Sequence, residues 1–492
     1  MSAAAPLPGF APATPAAGRV AMSADVPPPG FAPAAPVAGR VAMSADVPPP
    51  GFAPAAPAAG RADLRERPLL AVISPRLAEG GAVGGAETLL FNLATLAAAA
   101  GLRVEFLTTC AKNHFTWANE LPPGEFVRDG VKVIRFPVNQ DRDADLFNSL
   151  QMRIGQGETL SDAEEEAWLR NSVNSDALMD YAAGAGFDRI LTGPYLFGLA
   201  LTASARFPDK TVLVPCLHDE PFARVRLVAR MFHSVHAFCF NTAQEQALAE
   251  RLFFKGTEAA LSDTGLAPAA PATSRASLRE RPHSVIGFSL PDFASSAERG
   301  HALAGMVPAS SRPVGAVLQT APPYLLYCGR REPLKGTPLL VDYWAAFRAL
   351  HPESNLKFVF TGFGDIERPE GLESEIIDLG FVGEQEKHDL MAGALAFCHA
   401  SVNESLGIVL LETWLARRPC LVFASGEVLT AQTRAAGGGL WFRTCAEFNA
   451  AVEFLLESPA AASALGESGR AWTLANYSAP AVTERLLNLL QR

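Results

Sequence analysis

Seven cysteines are scattered along the chain, at Cys110, Cys216, Cys239, Cys328, Cys398, Cys420 and Cys445, and no two are spaced C-x-x-C. That absence argues against a zinc or disulfide framework, and leaves small buried hydrophobes in a reducing compartment. No run of about 18 apolar residues occurs, so no transmembrane span is expected. The N-terminus lacks the basic-then-apolar layout of a secretory leader. Positive charge is also in deficit: 41 Lys and Arg against 51 Asp and Glu leave a net charge of −10, which speaks against nucleic acid as the main partner. What remains is a chain of 492 residues, 49% of them apolar, long enough for two or three domains with substantial cores. A soluble cytoplasmic protein is expected.

Residues 1–67 repeat with a period of 21. Gly9-Phe10-Ala11-Pro12 returns as Gly30-Phe31-Ala32-Pro33 and Gly51-Phe52-Ala53-Pro54. Each copy is rich in Ala and Pro and nearly chargeless, so it buries too little surface to offset chain entropy, and a disordered tail is expected. Met1, Met22 and Met43 each open a Met-Ser-Ala triplet, so three starts are open. The unit returns at residues 264–282, which reads as a copied insertion in a surface loop.

The most informative stretch runs from Ala396 to Glu412. An apolar lead reads as a buried strand, Ser401 to Ser405 as a polar elbow, and Leu406 to Leu415 as a helix. Such a unit offers backbone N–H groups and a positive dipole end at the mouth of a parallel sheet. Glu404 precedes the helix, and Glu412 lies about 7.5 Å along the axis beyond Gly407. Acids beside a phosphate repel it. The order therefore suits a ligand with hydroxyls, then a diphosphate, then more hydroxyls, as in a nucleotide sugar. The diphosphate would sit on the amides of Leu406, Gly407 and Ile408, with Glu404 on the sugar and Glu412 on the ribose diol. A buried α/β helix with two incidental glutamates fits the same pattern.

Three further segments share this theme. Leu69 to Ser74 reads as a central parallel strand, followed by a glycine-rich loop from Gly80 to Gly85 and a helix. Leu217-His218-Asp219-Glu220 follows a strand and places a histidine beside two acids where α/β sheets carry chemistry. Gly329-Arg330-Arg331-Glu332-Pro333-Leu334-Lys335-Gly336 follows another strand, and two cations facing one anion suit a departing diphosphate. A tight turn, a structural histidine and a solvated turn are the plain alternatives.

Taken together, Glu404-x7-Glu412, the G-R-x4-K-G run of Gly329, Arg330, Lys335 and Gly336, the GGxE run of Gly84, Gly85, Ala86 and Glu87, and Gly362-Phe363-Gly364-Asp365 resemble the motifs of retaining glycosyltransferases of the GT-B fold, glycosyltransferase family 4. The resemblance covers about residues 69–490 in order, apart from the insertion. It implies an α/β architecture of two facing Rossmann-like domains behind the disordered tail. Residues 68–290 would form the acceptor domain, 291–322 a linker, 323–475 the nucleotide-sugar domain and 476–492 a crossover helix. Gly84 and Gly85 would reach toward the donor phosphates, His218 would line the reaction site, and Val382 would border the nucleobase pocket. Catalytic weight would fall on His218, Glu404, Arg330 and Lys335. Donor contacts would come from Gly84, Gly85, Arg330, Lys335, Val382, Leu406, Gly407, Ile408 and Glu412. The implied substrates are a nucleotide-sugar donor and a hydroxyl acceptor (a glycan, a lipid-linked glycan or a small molecule), with no further cofactor and no required metal. Peripheral contact with a membrane is left open. A non-catalytic GT-B binder, and a GT-B epimerase or phosphorylase, are the alternatives.

Some patterns point away from chemistry. Asp141-Arg142-Asp143 has the D-x-D form that binds metal in the other glycosyltransferase fold, but it lacks hard-ligand partners and reads as a loop or helix cap. His233 and His236 are expected three apart on a helix, as packing residues. Glu164, Glu165 and Glu166 are expected on a solvent face.

Overall fold

The structure, a computed structural model, describes residues 68–77, 84–114, 116–254, 277–292 and 322–492. The repeats, Gly80 to Val83, and most of the insertion and linker lie outside them.

Leu69–Ile73 forms β1, and alternate residues serve different cores. Leu70 and Val72 pack with Leu89 and Leu93, while Ala71 and Ile73 pack with Leu178 and Leu199. A strand apolar on both sides needs cover on both, so it lies in mid-sheet between helical layers. The remaining strands of this half are β2 (Arg103–Thr109), β3 (Gly124–Arg128), β4 (Val131–Phe136), β5 (Arg189–Thr192), β6 (Thr211–Leu213), β7 (Ala237–Phe240) and β8 (His283–Val285). They run in the order β3-β4-β2-β1-β5-β6-β7-β8. Among the described strands of this half, only β3 is antiparallel to its neighbour. Its helices are α1 (Gly85–Ala99), α2 (Ala144–Gly155), α3 (Asp162–Asn171), α4 (Asp176–Gly184), α5 (Gly198–Arg206), α6 (Arg226–Ser234) and α7 (Ala243–Ala249).

The second half holds β9 (Tyr324–Cys328), α8 (Thr337–Leu350), β10 (Lys357–Thr361), β11 (Ile376–Asp378), α9 (Glu384–Gly393), β12 (Ala396–His399), α10 (Ile408–Leu415), β13 (Cys420–Phe423), α11 (Glu427–Ala436), β14 (Gly439–Phe442), α12 (Cys445–Glu457), α13 (Pro459–Tyr477) and α14 (Ala479–Leu490). Its six strands are all parallel, in the order β11-β10-β9-β12-β13-β14.

Each sheet winds outward in both directions from one place, β1 beside β5 and β9 beside β12. Loops leaving the carboxyl ends of such a pair diverge and open a crevice, the place where open α/β sheets in general accommodate ligands. Gly336 shows how tightly the second crevice is built. Its φ is +72°, and a Cβ there would lie 2.4 Å from the Ala400 carbonyl oxygen. Only glycine lets the loop carrying Lys335 press against the end of β12.

The chain closes by returning to the first sheet. Helix α14 packs on α1, β7 and β8. Arg485 donates to the Ile286 carbonyl at 2.8 Å, and the Leu290 amide to the Tyr477 carbonyl at 3.1 Å.

Several local expectations change. β3, β11 and β14 are strands that the sequence pattern did not suggest; each is short, lies at a sheet edge, and carries polar or glycine residues. His236 lies beyond α6, immediately before β7, so it is not a helical neighbour of His233. Glu165 is buried, because its carboxylate accepts from the Arg226 side chain at 3.0 Å and from the Leu227 amide at 3.0 Å. The end of the copied insertion belongs to the fold: Leu278 is buried in the first-domain core and Arg281 donates to carbonyls of Val235 and His233. Asp143, by contrast, caps α2 as expected, accepting from the Leu146 amide at 2.9 Å.

Candidate functional site

The elbow between β12 and α10 sets the polar centre of the second domain. Lys335, delivered by the Gly336 turn, lies 2.6 Å from Glu404 Oε1. His399, the last residue of β12, approaches the same oxygen with Nε2 at 3.5 Å. Burial raises the Glu404 pKa, but His399 and Lys335 outweigh it and hold the carboxyl well below the usual range. Glu404 is therefore ionised and multiply engaged. Arg330 is mostly exposed, with its guanidinium 3.2 Å from Glu332. Its neighbour Arg331 is the buried arginine, paired with Asp378 and donating to the Gly362 carbonyl at 2.8 Å. The two expected cations thus do not stand bare before an empty phosphate site; each has an acidic partner.

The helix start is likewise occupied. Gly407 donates its amide to Gln432 Oε1 at 3.4 Å, and Ile408 donates to the Leu406 carbonyl at 3.0 Å. The expected row of open amides at Leu406, Gly407 and Ile408 is corrected to this extent. A Cβ on Gly407 would lie 2.5 Å from Leu429 Cδ2, so glycine here lets α10 abut α11.

Eight residues on from Glu404, the setting differs. Glu412 is buried, with Oε1 2.8 Å from Lys387 Nζ and Oε2 buried without a hydrogen-bond partner. Burial raises its pKa; Lys387 opposes the rise and Glu384 adds to it. Lys387 also lies 2.8 Å from Glu384. Glu384, His388 and Glu412 bring ligand atoms within 4.8 Å of one another, a spacing compatible with a metal ion. The Lys387 ammonium already bridges the two carboxylates. Val382 is half-buried in the loop before α9 and packs against the core.

From the first domain, Gly84 and Gly85 start α1. The Gly84 amide donates to Glu87 Oε2 at 2.8 Å, and Glu87 forms a buried two-pronged pair with Arg76 at 2.7 and 2.9 Å. The glutamate of this loop is therefore an anchor. A Cβ on Gly85 would lie 3.6 Å from Ile408 Cδ1, so the loop meets the start of α10 across the domains. Thr242 makes a second link, donating its hydroxyl to the Ser405 carbonyl at 3.2 Å.

His218 sits on the loop after β6. Its Nδ1 is 3.8 Å from Glu220, which accepts from the Tyr195 hydroxyl at 2.6 Å. Burial raises the Glu220 pKa, but His218 and Tyr195 prevail and lower it. The loop turns sharply at Cys216, whose φ is +51°, and is pinned where the Leu217 amide donates to Glu245 Oε1 at 2.6 Å. Glu245 is fully buried; burial pushes its pKa up to about 7 against the amides of Asn241 and Leu217.

A cavity of about 290 Å³ opens between the domains, with His218, Asp219, Glu245 and Arg251 on one side and Asn403, Glu404 and Glu427 on the other. It brings together His218 and Glu404. Arg330, Lys335, Gly84, Gly85, Val382 and Glu412 do not line it. Lys387, His399 and Glu245 went unrecognised in the sequence. His399 obeys the rule that drew attention to His218, a histidine at a strand's carboxyl end. Lys387 sits in Gly383-Glu384-Gln385-Glu386-Lys387-His388-Asp389, which reads as a solvated face.

Residues 315–472 match the family model of glycosyl transferases group 1. No curated protein matches the chain in sequence. Among solved structures, sucrose-phosphate synthase from Thermosynechococcus elongatus is similar with 17% identity and a TM-score of 0.60, over 86% of this chain and 98% of the other. The E. coli trehalose-6-phosphate structure bound with UDP-2-fluoro glucose is similar with 13% identity and a TM-score of 0.61, over 86% and 99%. Anabaena HepE in complex with UDP gives 13% and 0.54, over 86% and 99%. The fold is GT-B, and its second half carries a glycosyltransferase group 1 domain.

Proposed function

We propose that the protein is a retaining, family 4-like glycosyltransferase that moves a sugar from a nucleotide-sugar donor to a hydroxyl acceptor. One observation carries this: His218 of the first domain and Glu404 of the second face a single cavity, while Lys335 lies against Glu404 at the second-domain switch point. The donor is assigned mainly to residues 323–475 and the acceptor to 68–290, joined through 291–322, with 476–492 as the crossover. The cytoplasm is the proposed location; no helix among the described residues is long and apolar enough to cross a membrane. UDP or a UDP sugar occupies two of the similar structures, which makes a nucleoside diphosphate sugar the first donor class to test.

In this mechanism the bond from the anomeric carbon to the leaving phosphate oxygen breaks as the acceptor oxygen forms its bond on the same face. The acceptor hydroxyl gives its proton to the leaving phosphate. Negative charge grows on the diphosphate, and Lys335 and Arg330 act by turning from their glutamates toward it. An interaction stronger in the transition state than in the ground state is what accelerates the step. Glu404 accepts from sugar hydroxyls and His218 lines the reacting face. Gly84, Gly85 and the start of α10 enclose the phosphates, Glu412 Oε2 receives the ribose diol, and Val382 borders the base. No step is routed through a metal or a further cofactor.

Screening a panel of nucleotide sugars for slow hydrolysis tests the proposal, since water substitutes for the unknown acceptor. Release from one donor, strongly reduced in Glu404→Gln and Lys335→Ala, is expected, and the anomer formed in transfer reads the stereochemistry. A second reading, a GT-B protein that binds nucleotide sugar without turnover, is favoured by the engagement of Lys335, Gly407 and Ile408 in internal bonds. Donor binding without hydrolysis or transfer would select it.

A further inference from the structure

We propose that Lys387 is a positioning residue of the nucleotide site, holding one oxygen of Glu412 so that the other is presented to a neutral diol of the ligand. The inference rests on the assignment of Glu412 to the ribose. Both residues are largely buried, and the contact joins α9 to α10, two elements set by the core. The last torsion of a glutamate is soft and roughly two-fold. Fixing Oε1 at 2.8 Å from Lys387 therefore fixes where Oε2 lies. That second oxygen is buried and has no partner. An acceptor in this state carries a desolvation penalty that a ligand donor relieves.

Charge decides which donor fits. Lys387 sits between Glu384 and Glu412, 2.8 Å from each. One cation between two carboxylates leaves the cluster acidic, so a phosphate is disfavoured and a hydroxyl pair is accepted. A divalent cation, which the spacing of Glu384, His388 and Glu412 would admit, competes with the ammonium already there.

The experiment is calorimetry on the full chain. The ligand is whichever of UDP, GDP and ADP the parent binds most tightly, alongside its 2′,3′-dideoxy counterpart. The parent should prefer the ribose form. Lys387→Met should weaken that form by roughly tenfold, the loss of a hydrogen bond to a charged group, and leave the dideoxy form nearly unchanged. Lys387→Arg should keep most of the preference, and Lys387→Gln serves if the methionine variant fails to fold. Equal weakening of both ligands would reduce Lys387 to a structural role and overturn the proposal. So would parent-like selectivity in Lys387→Met with selectivity lost in Glu412→Gln. Selectivity retained in Glu412→Gln, or no binding of any of the three nucleotides, would remove the ribose assignment itself. Zn²⁺ binding by the parent that disappears in Glu412→Gln would show a metal in the place given to Lys387.

Discussion

Glu404 and Glu412 bracket the start of one helix, the first half-buried and the second buried, and both touch a lysine, yet their environments act in opposite directions. Glu404 has two partners, the Lys335 ammonium and the His399 ring, and its carboxyl is held low. Glu412 has Lys387 alone on one oxygen, an acid nearby and nothing on the other oxygen, and its carboxyl is raised. Burial pushes both carboxyls up; the number of groups satisfying the charge decides the sign. In the proposed mechanism the Glu404 side, which is saturated, gives up a partner to the ligand, and the Glu412 side, which is unsaturated, gains one.

The largest effect should come from disturbing the saturated end. Lys335→Ala removes the charge proposed to meet the leaving diphosphate, and turnover should fall by about 10²–10³-fold; the melting temperature should fall as well, because Glu404 then keeps only His399. A rate like the parent's would remove Lys335 from the chemistry.

Next in size are the pH responses, which should run in opposite directions. Glu404, held below its unfolded pKa, contributes stability above the ordinary carboxylate range and loses it only in strong acid. Glu412, raised above its unfolded pKa, costs stability as pH rises through and above that range. Glu404→Gln should therefore lower the melting temperature at pH 7 clearly more than Glu412→Gln does. His399→Gln should move the acid loss of stability to higher pH. Equal shifts in the two glutamine variants would erase the contrast.

A smaller effect separates the two ends by ligand. Glu412→Gln should weaken free nucleoside diphosphate and whole donor by a similar factor, about 1.5–3 kcal/mol. Glu404→Gln should impair transfer and sugar discrimination while leaving the free nucleotide nearly unchanged. Calorimetry with the nucleotide and with the intact donor reads both.

The last test lies away from both ends and concerns Glu245, whose buried carboxyl is pushed up to about 7. Between the unfolded value and about pH 7 the native state keeps a proton that the unfolded chain releases. Stability should fall across that window, and this slope should flatten in Glu245→Gln. A slope unchanged from the parent would show that Glu245 is not its source.

Patterns of period and spacing can be read along a chain, and these carried much of the architecture. β1, β9 and β10 are apolar runs because a mid-sheet strand is covered on both faces. Gly336 follows from two backbones that must approach closely, and the glutamate spacing marked the start of α10. β3, β11 and β14 escaped because edge positions relax the demand for apolar residues; their strand character comes from hydrogen bonding to a neighbour already in place. Glu165 looked solvated until Arg226, distant in sequence, was brought beside it.

By itself the sequence determined which residues could bear charge at the mouth of each sheet: Arg330, Lys335, Glu404, Glu412 and His218. Only the tertiary structure decided how those charges are distributed. Pairing of Lys335 with Glu404, Lys387 with Glu412, and Arg76 with Glu87 depends on sheet order and helix packing, which place residues far apart in the chain within 3 Å. Electrostatic roles follow from distance and burial, and neither quantity is local in sequence.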